Sequence, residues 1–332
     1  MGLSAGAASP VRPADVASVV AVVTIWTLFL VLARFGVKGS FTPWDLAFIR
    51  FSFAAAVVLP VWLLRPAGQR LGSLTPMRAL ALATTAGLLF SCLAYAGFSF
   101  APAAHGAVLM TGTLPFWVAL VAWLALGDKL TPRKTGSLGL ILLGVGFTGW
   151  HSIVDNASAA QSGAATAGAW RGDILFPCAA ASWAVFVVLV RRWQVKAMDA
   201  TVAAALISFV LYTPVYLLFL PKQIMTAPLL EIVWQGVFQG ILALVVSMWL
   251  YTRVVQAFGP SRTTMITALC PGLAALIAVP VLGEPLSVLI LLGLAAVTAG
   301  MVLGVTGGNT AQPLGATAAT AAISATAVPP RA

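Results

Sequence analysis

The chain has 332 residues, of which 61% are hydrophobic and 8% are charged. Soluble globular domains carry about 25% charged residues, so this composition excludes a water-facing surface and predicts an integral membrane protein. The net charge of +10 does not indicate nucleic-acid binding, because the basic residues lie in the segments that connect apolar runs.

Ten apolar runs, each suited to one crossing of a bilayer, follow one another along the chain. They are continuous, rich in Leu, Ala and Val, and without the alternation of barrel strands, so we predict α-helices. The runs are 16–33, 44–64, 79–101, 105–126, 136–150, 174–190, 201–220, 232–252, 263–282 and 286–305. The first is too long for the apolar part of a cleaved signal peptide, and Arg34 and Lys38 follow it instead of a cleavage site.

The runs form two groups of five, which divides the chain into four parts. We expect a first repeat at 16–150 and a second at 174–305. The segment 151–173 is rich in Ala, Ser, Gly and Thr, which predicts a flexible external linker. The Ala-, Thr- and Pro-rich segment 306–332 is expected to be a disordered cytoplasmic tail.

An internal repeat connects the two groups. Equivalent residues are separated by 156 positions in each of these pairs: Tyr95 and Tyr251, Thr111 and Thr267, Pro115 and Pro271, Gly127 and Gly283, and Asp128 and Glu284. Five helices is an odd number, so the second repeat must enter the membrane upside down. A repeat of this inverted kind is typical of secondary transporters.

The loop charges agree with the inversion and indicate the orientation. With the N-terminus on the inside, thirteen Lys and Arg residues lie on the inner side: Arg12, Arg65, Arg70, Arg78, Lys129, Arg133, Lys134, Arg191, Arg192, Lys196, Arg253, Arg262 and Arg331. The outer side carries four, which are Arg34, Lys38, Arg171 and Lys222. The positive-inside rule therefore predicts that both termini are cytoplasmic, and we expect a multi-pass protein of a bacterial inner membrane.

Two stretches resemble the repeated blocks of the EamA domain of the drug/metabolite transporter superfamily. They run from His105 through Pro115 to Gly127-Asp128-Lys129-Leu130-Thr131-Pro132, and from Phe258 through Pro271 to Gly283-Glu284-Pro285. The sequence Phe48-Ile49-Arg50-Phe51 is similar to the family's second-helix arginine, whereas Asp128 replaces the commoner Glu. The resemblance covers about residues 16–305. It implies ten helices around a central cavity lined by helices three, four, eight and nine, and an exporter of small metabolites whose substrate it does not specify.

Two equivalent prolines are candidates for the substrate pathway. A proline inside a helix removes one hydrogen bond to the carbonyl four residues earlier. Pro115 and Pro271 thereby free the carbonyls of Thr111 and Thr267. Such carbonyls are tolerated in a bilayer where they meet water, a hydroxyl or a cavity, so we predict that both breaks face the pathway. A simple packing kink is the alternative.

Two ionisable residues are further candidates. Arg50 lies about six residues into the second run, where it either binds a substrate carboxylate or reaches the headgroups as a structural residue. His105 begins the fourth run, where it either senses protons or serves as a cap or surface residue.

Aromatic and polar residues inside the runs complete the candidate pathway. Trp26 and Trp183 lie mid-span and are 157 residues apart, and Trp249 also lies inside its run, as does Trp117. Belt tryptophans belong at helix ends, so mid-span ones either line a cavity or pack against lipid and protein. The polar part of a pocket is expected among Ser91, Tyr95, Gln235, Gln239 and Tyr251.

The remaining chemistry of the chain favours transport over catalysis. None of the eight acidic residues lies mid-run, which argues against strong proton coupling. The cysteines Cys92, Cys178 and Cys270 lack metal-ligand spacing, and we expect no cofactor or metal.

The leading prediction is an alternating-access transporter, monomeric or homodimeric, that moves a small molecule such as an amino acid outward across the lipid bilayer. The alternatives are a multidrug exporter of the same fold and a membrane enzyme acting on a lipid-linked substrate. We expect no enzyme, because its acid, base or metal groups would cluster at one face.

Overall fold

The computed structural model describes residues 12–128, 131–162 and 168–305, without the side chains at 155–162, 256, 259–262, 264, 265 and 305. Lys129, the centre of the expected linker (163–167) and the expected disordered tail (306–332) lie outside the described residues. The described part of the chain is helical and contains no strand. Eight of its helices are long and apolar enough to cross a membrane, and two shorter apolar helices follow them.

These ten helices confirm the predicted all-α membrane fold. They are α1 (Pro13–Lys38), α2 (Pro43–Leu63), α3 (Pro76–Phe100), α4 (Ala103–Leu126), α5 (Pro132–Ser162), α6 (Ala169–Trp193), α7 (Ala197–Phe219), α8 (Leu229–Gln235, Gly236–Val246 and Ser247–Thr267), α9 (Cys270–Leu282) and α10 (Val288–Val305). We call the end of the bundle where α1 begins the N-terminal face and the other end the opposite face. Many large apolar side chains are exposed on the described helices, as a lipid-facing surface requires.

Local signals explain where the helices begin and end. Pro43 is the first helical residue of α2, where its missing N–H costs nothing, and the Thr42 side chain accepts a bond from the backbone N–H of Asp45. The equivalent helices α4 and α9 end at equivalent glycines in the left-handed region, Gly127 (φ 72°) and Gly283 (φ 66°). This region is readily open only to glycine, so the two repeats share their helix ends as well as their sequence.

The equivalent helices α2 and α7 run antiparallel, which demonstrates the inversion. The start of α2 contacts the end of α7, because the Tyr216 hydroxyl donates to Asp45. The residue that follows α2 by two positions, Arg65, contacts the start of α7 through Asp199 (2.9 Å). Equivalent helices that point in opposite directions require a two-fold axis in the plane of the membrane.

The last helix of each repeat shows the same arrangement. Ser137 near the start of α5 donates to the carbonyl of Gly300 near the end of α10 (2.7 Å), whereas Gly144 further along α5 touches Gly293 further back on α10. Helix α1 packs on α8 and α9 of the other repeat, and its equivalent α6 packs on α3 and α4. The contacts between the halves therefore obey the two-fold symmetry.

Glycine makes the close approach of α5 and α10 possible. A Cβ atom at Gly144 would lie 2.6 Å from the backbone oxygen of Gly293 and 2.6 Å from the Val297 side chain, whereas at Gly139 on the same helix it would meet nothing within 4 Å. We therefore expect Gly144→Ala to destabilise the protein by about 1–3 kcal/mol through overpacking. Gly139→Ala should be neutral or stabilise by up to about 1 kcal/mol through its helix propensity.

Thermal unfolding in detergent measures both variants under identical conditions. Equal melting temperatures for Gly144→Ala and Gly139→Ala would contradict this close helix contact.

Helix α5 is longer than expected and corrects the predicted linker. It begins at Pro132 and continues to Ser162, and α6 begins at Ala169, so most of the 151–173 segment is helical. Its alanines explain the difference, because alanine has the highest helix propensity of all residues and the composition that suggests a linker also suits a helix. The flexibility of the rest stays a prediction.

The connection between α8 and α9 also differs from the expectation. A loop was expected at 253–262, but the backbone of Ser247–Thr267 is helical. Arg253 bonds Asp15 at the start of α1, whereas Cys270, later in the chain, contacts the carbonyl of Val23, deeper in the bundle. The chain therefore turns back into the bundle between Arg253 and Cys270. The ninth crossing therefore starts before the helix break at 268–269.

Candidate substrate pathway

Segments of π-helix occur where the helices of the two halves meet. They include Ala83–Leu89 in α3, Ala203–Ile207 in α7 and Gly236–Val246 in α8. The first corresponds to 239–245 of the second repeat, so α3 and α8 carry equivalent π segments. A π segment changes the hydrogen-bond ladder of its helix and is frequent at functional sites.

The carbonyl groups of these π segments accept bonds from neighbouring helices. Arg50 of α2 donates from Nη1 to the carbonyl oxygen of Gln239 in α8 (3.1 Å). Ser208 of α7 donates to the carbonyl oxygen of Ala83 in α3 (3.1 Å). Ala83 and Gln239 are 156 residues apart, so the two accepting carbonyls are equivalent, whereas the donors lie on the equivalent helices α2 and α7 but are 158 residues apart. In one half the donor is a neutral hydroxyl, and in the other it is a guanidinium.

Arg50 is buried between the halves and does not reach the headgroups. Its residue exposure is 3%, and its guanidinium lies 5.4 Å from the ring centroid of Phe29 on α1. The Nε atom has no hydrogen-bond partner, and among the described residues no carboxylate forms an ion pair with Arg50. A positive charge in this position is costly unless a partner neutralises it.

Other buried polar atoms lie beside Arg50. The Tyr95 hydroxyl donates to the side-chain oxygen of Gln239 (3.1 Å), whose backbone oxygen accepts the Arg50 bond. The Gln239 amide nitrogen and the hydroxyl of Ser91, one turn from Tyr95 on α3, have no partner within the described part of the chain. We call Arg50, Ser91, Tyr95 and Gln239 the central polar cluster. Its unused donors suit a ligand that carries hydrogen-bond acceptors.

A small cavity of about 20 Å³ adjoins Arg50. Its walls are otherwise mainly apolar and include Ala86, Trp183, Phe186, Ala204, Ala243 and Met248. A cavity of this size holds about one water molecule. Trp183 and Arg50 both line this cavity, and a role of Trp183 in the pathway stays a prediction.

The other predicted aromatic residues do not all join this site. Trp26 stacks on Tyr251 (5.1 Å between ring centroids) along the contact of α1 and α8. Trp117 packs edge-on against Phe116. Trp249 is 60% exposed and is not part of the buried cluster, so its assignment to the pathway stays a prediction.

Gln235 forms a hydrogen bond between two helices and is not part of the central polar cluster. Its amide donates to the carbonyl oxygen of Leu32 (3.0 Å), which connects α8 to α1.

The paired proline breaks are present in both halves. Helix α4 is interrupted at Thr113, directly before the segment that contains Pro115. The break at 268–269 is equivalent and precedes the segment that contains Pro271. Thr111 lies in a π segment of α4, and Thr267 ends the helix before the second break. Whether these breaks act in transport stays a prediction.

His105 belongs to a separate buried group at the opposite face. Its Nδ1 atom lies 2.7 Å from a carboxylate oxygen of Asp173 on α6. Ser152 of α5 donates to the other oxygen of Asp173. The histidine is therefore neither a surface residue nor part of the central polar cluster, and it connects α4, α5 and α6.

Comparisons with known proteins agree with this architecture. The model of the EamA-like transporter family matches residues 15–150 and 170–306, which are the two repeats. A solved crystal structure is similar to the chain with a TM-score of 0.57 and 19% sequence identity, over 88% of this chain and 98% of that one. At this identity the likeness concerns the fold. No curated protein matches the sequence significantly.

Proposed function

Because the chain belongs to the EamA-like transporter family, we propose that it exports a small carboxylate-bearing metabolite, such as an amino acid, by alternating access. The family is one of membrane transporters, and the ten-helix inverted repeat is an architecture that supports such a cycle. The proposal adds to the family assignment the direction, the substrate class and the residue that recognises it.

The buried charge of Arg50 carries the substrate assignment. The equivalent carbonyl in the other half, that of Ala83, accepts a bond from Ser208, so satisfying such a carbonyl does not require a cation. A guanidinium binds a carboxylate with two parallel hydrogen bonds. A substrate carboxylate would supply the negative charge that the described surroundings of Arg50 lack, and the unused Ser91 and Gln239 groups would bind its other polar atoms.

The apolar walls favour a substrate with an apolar or aromatic part. Phe90 and Phe186 both pack on Trp183, with ring centroids 4.8 Å and 5.1 Å from that of the tryptophan. The same walls support a second candidate, a multidrug exporter of the same fold that takes apolar cations. The two candidates differ in the charge of the substrate. Arg50 would attract the carboxylate of the first and repel the cation of the second.

Counterflow into proteoliposomes tests the function. We expect vesicles preloaded with a transported amino acid to accumulate its labelled form well above protein-free vesicles, and to accumulate poorly its amide, which lacks the carboxylate. Preferential movement of cationic drugs would favour the second candidate. Movement of neither class, beside turnover of a lipid-linked substrate, would favour an enzyme.

The proposed orientation places both termini in the cytoplasm of a bacterial cell. The orientation rests on the thirteen Lys and Arg residues of the inner side against the four of the outer side. We expect single cysteines at Lys129 and Pro285, in a protein without Cys92, Cys178 and Cys270, to react with an impermeant maleimide from opposite sides. Lys129→Cys should react only in inside-out vesicles. Labelling of both from one side would contradict the inverted orientation.

A further inference from the structure

Two arginine–carboxylate pairs occupy equivalent places in the two halves. Arg34 at the end of α1 bonds Glu284 after α9, with 2.8 Å between Nε and Oε1. Arg191 at the end of α6 bonds Asp128 after α4, with 2.6 Å between Nη1 and Oδ2. The arginines are 157 residues apart and the carboxylates 156. The pseudo-two-fold axis therefore relates one pair to the other and places them at opposite faces.

The pair at the opposite face joins four helices. Arg34 also donates to the carbonyl oxygen of Phe98 near the end of α3. The second oxygen of Glu284 accepts the backbone N–H of Ala103, the first residue of α4 (2.8 Å). Glu284 thus places a negative charge at a helix N-terminus, which is a favourable position. This pair brings α1, α3 and α4 of one half against the end of α9 of the other.

The pair at the N-terminal face is more exposed. Arg191 contacts both carboxylate oxygens of Asp128, the second at 3.2 Å. The side chains of Arg191 and Asp128 are 39% and 27% exposed, whereas those of Arg34 and Glu284 are 13% and 8% exposed. Water therefore reaches the N-terminal-face pair more easily and weakens its attraction.

A second symmetric set of contacts holds α2 against α7 at both faces. Asp45 accepts bonds from the Tyr216 hydroxyl and from the backbone of Gln223 (3.0 Å). Asp199 accepts bonds from Arg65 (2.9 Å) and from the backbone of Ser73 (3.4 Å). Both carboxylates are buried. These contacts fix the centre of the bundle, so a rocking motion would change the contacts of α1 with α9 and of α6 with α4.

We propose that Arg34–Glu284 and Arg191–Asp128 are the two gates of the transport cycle, which open alternately at the opposite face and at the N-terminal face. The proposal rests on the alternating-access function proposed above. In a protein with this symmetry, the arrangement of one half in one state is adopted by the other half in the alternate state. Both pairs are formed in the structure, as an occluded intermediate requires.

Accessibility of a single reporter cysteine tests the gates without any substrate. Ala243 lines the cavity, so Ala243→Cys in a protein without native cysteines reports which face is open to an impermeant maleimide. We expect Arg34→Gln to raise labelling from the opposite face relative to the N-terminal face by about fivefold or more. Arg191→Gln should shift the same ratio by a similar factor in the other direction, because each change weakens only one closed gate.

Further variants separate gating from misfolding. Glu284→Gln and Asp128→Asn should act in the directions of Arg34→Gln and Arg191→Gln respectively, and each fold is checked by gel filtration. The double exchange Arg191→Asp with Asp128→Arg, a pair whose described side-chain bonds are to each other, should restore the labelling ratio of the parent. Arg65→Gln removes an arginine–aspartate pair at the N-terminal face that does not lie at a gate, so it should leave the ratio unchanged.

The labelling outcome is independent of the proposed substrate. If the protein moves no carboxylate but the gate variants shift the labelling ratio in opposite directions, the assignment of the gates stands and only the substrate assignment fails. The assignment of the gates would be wrong if Arg34→Gln and Arg191→Gln shift the labelling ratio in the same direction. It would also be wrong if all four single gate variants leave the ratio unchanged, or if Arg65→Gln shifts it equally. Each of these results would stand even if export of amino acids is demonstrated.

Discussion

Replacement of Arg50 by lysine should abolish most export of carboxylate substrates while sparing analogues that lack the carboxylate. Lysine keeps the charge but loses the planar fork that binds a carboxylate through two bonds. We expect kcat/KM for an amino acid to fall by about tenfold to a hundredfold, on the order of 1.5–3 kcal/mol for a charge-assisted bond, with little change for its amide. Initial rates of both solutes in the same proteoliposomes measure the ratio.

Two further variants distinguish recognition from structure. Ser208→Ala removes the bond to the equivalent carbonyl in the other half, that of Ala83, and should lower stability by about 1 kcal/mol without changing the preference for carboxylates. Arg50→Leu should remove that preference while lowering flux, and it leaves the Gln239 carbonyl without this donor. If Arg50→Lys reduces transport of the amino acid and the amide equally, Arg50 has a structural role and the carboxylate assignment fails.

Loss of the buried Asp45 carboxylate should destabilise the protein strongly, and more than loss of a part-exposed carboxylate such as that of Asp15. Asp45 is fully buried and accepts bonds from the backbone and hydroxyl of Thr42 (both 2.8 Å), from Gln223 and from Tyr216. Asp45→Ala leaves these donors unsatisfied, at about 1–3 kcal/mol for each buried group. We expect the melting temperature in detergent to fall by on the order of 10 °C.

Asp15→Ala is the matched control for Asp45→Ala. Asp15 also lies in the first turn of its helix, but it contacts an arginine, Arg253, whose side chain is 39% exposed. An exposed pair contributes about 0–1 kcal/mol, so the melting temperature should change by only a few degrees. A fall in melting temperature as large as that of Asp45→Ala would contradict the special role of the buried carboxylate.

The repeat made most of the fold predictable from the sequence. The constant separation of 156 between residues such as Pro115 and Pro271 fixes the equivalence of the halves, and the odd number of runs then requires their inversion. The ends of α5 were not predictable in the same way, because alanine, serine and glycine around Ser162 suit a linker and a helix equally. Composition therefore locates a crossing more securely than it locates its ends.

The candidate site was only partly predictable. The likeness of the chain to its family indicates Arg50, but the partner of Arg50 is a backbone carbonyl of Gln239, exposed by a π segment that side-chain patterns do not encode. The separation of Arg34 and Arg191 equals that of Trp26 and Trp183, so the symmetry of the arginines is readable. Their carboxylate partners lie in the other half, and contacts between distant segments have no periodic signal.

The contacts of α2 with α7 and of α5 with α10 join equivalent helices across a two-fold axis, and contacts of this kind are self-complementary. One five-helix unit therefore carries both sides of each contact and can pair with an upside-down copy of itself. In a pair of separate copies every residue would occur on both sides. Joining the copies in one chain removes this constraint and lets one half specialise, as it has where Arg50 occupies the role that Ser208 plays in the other half.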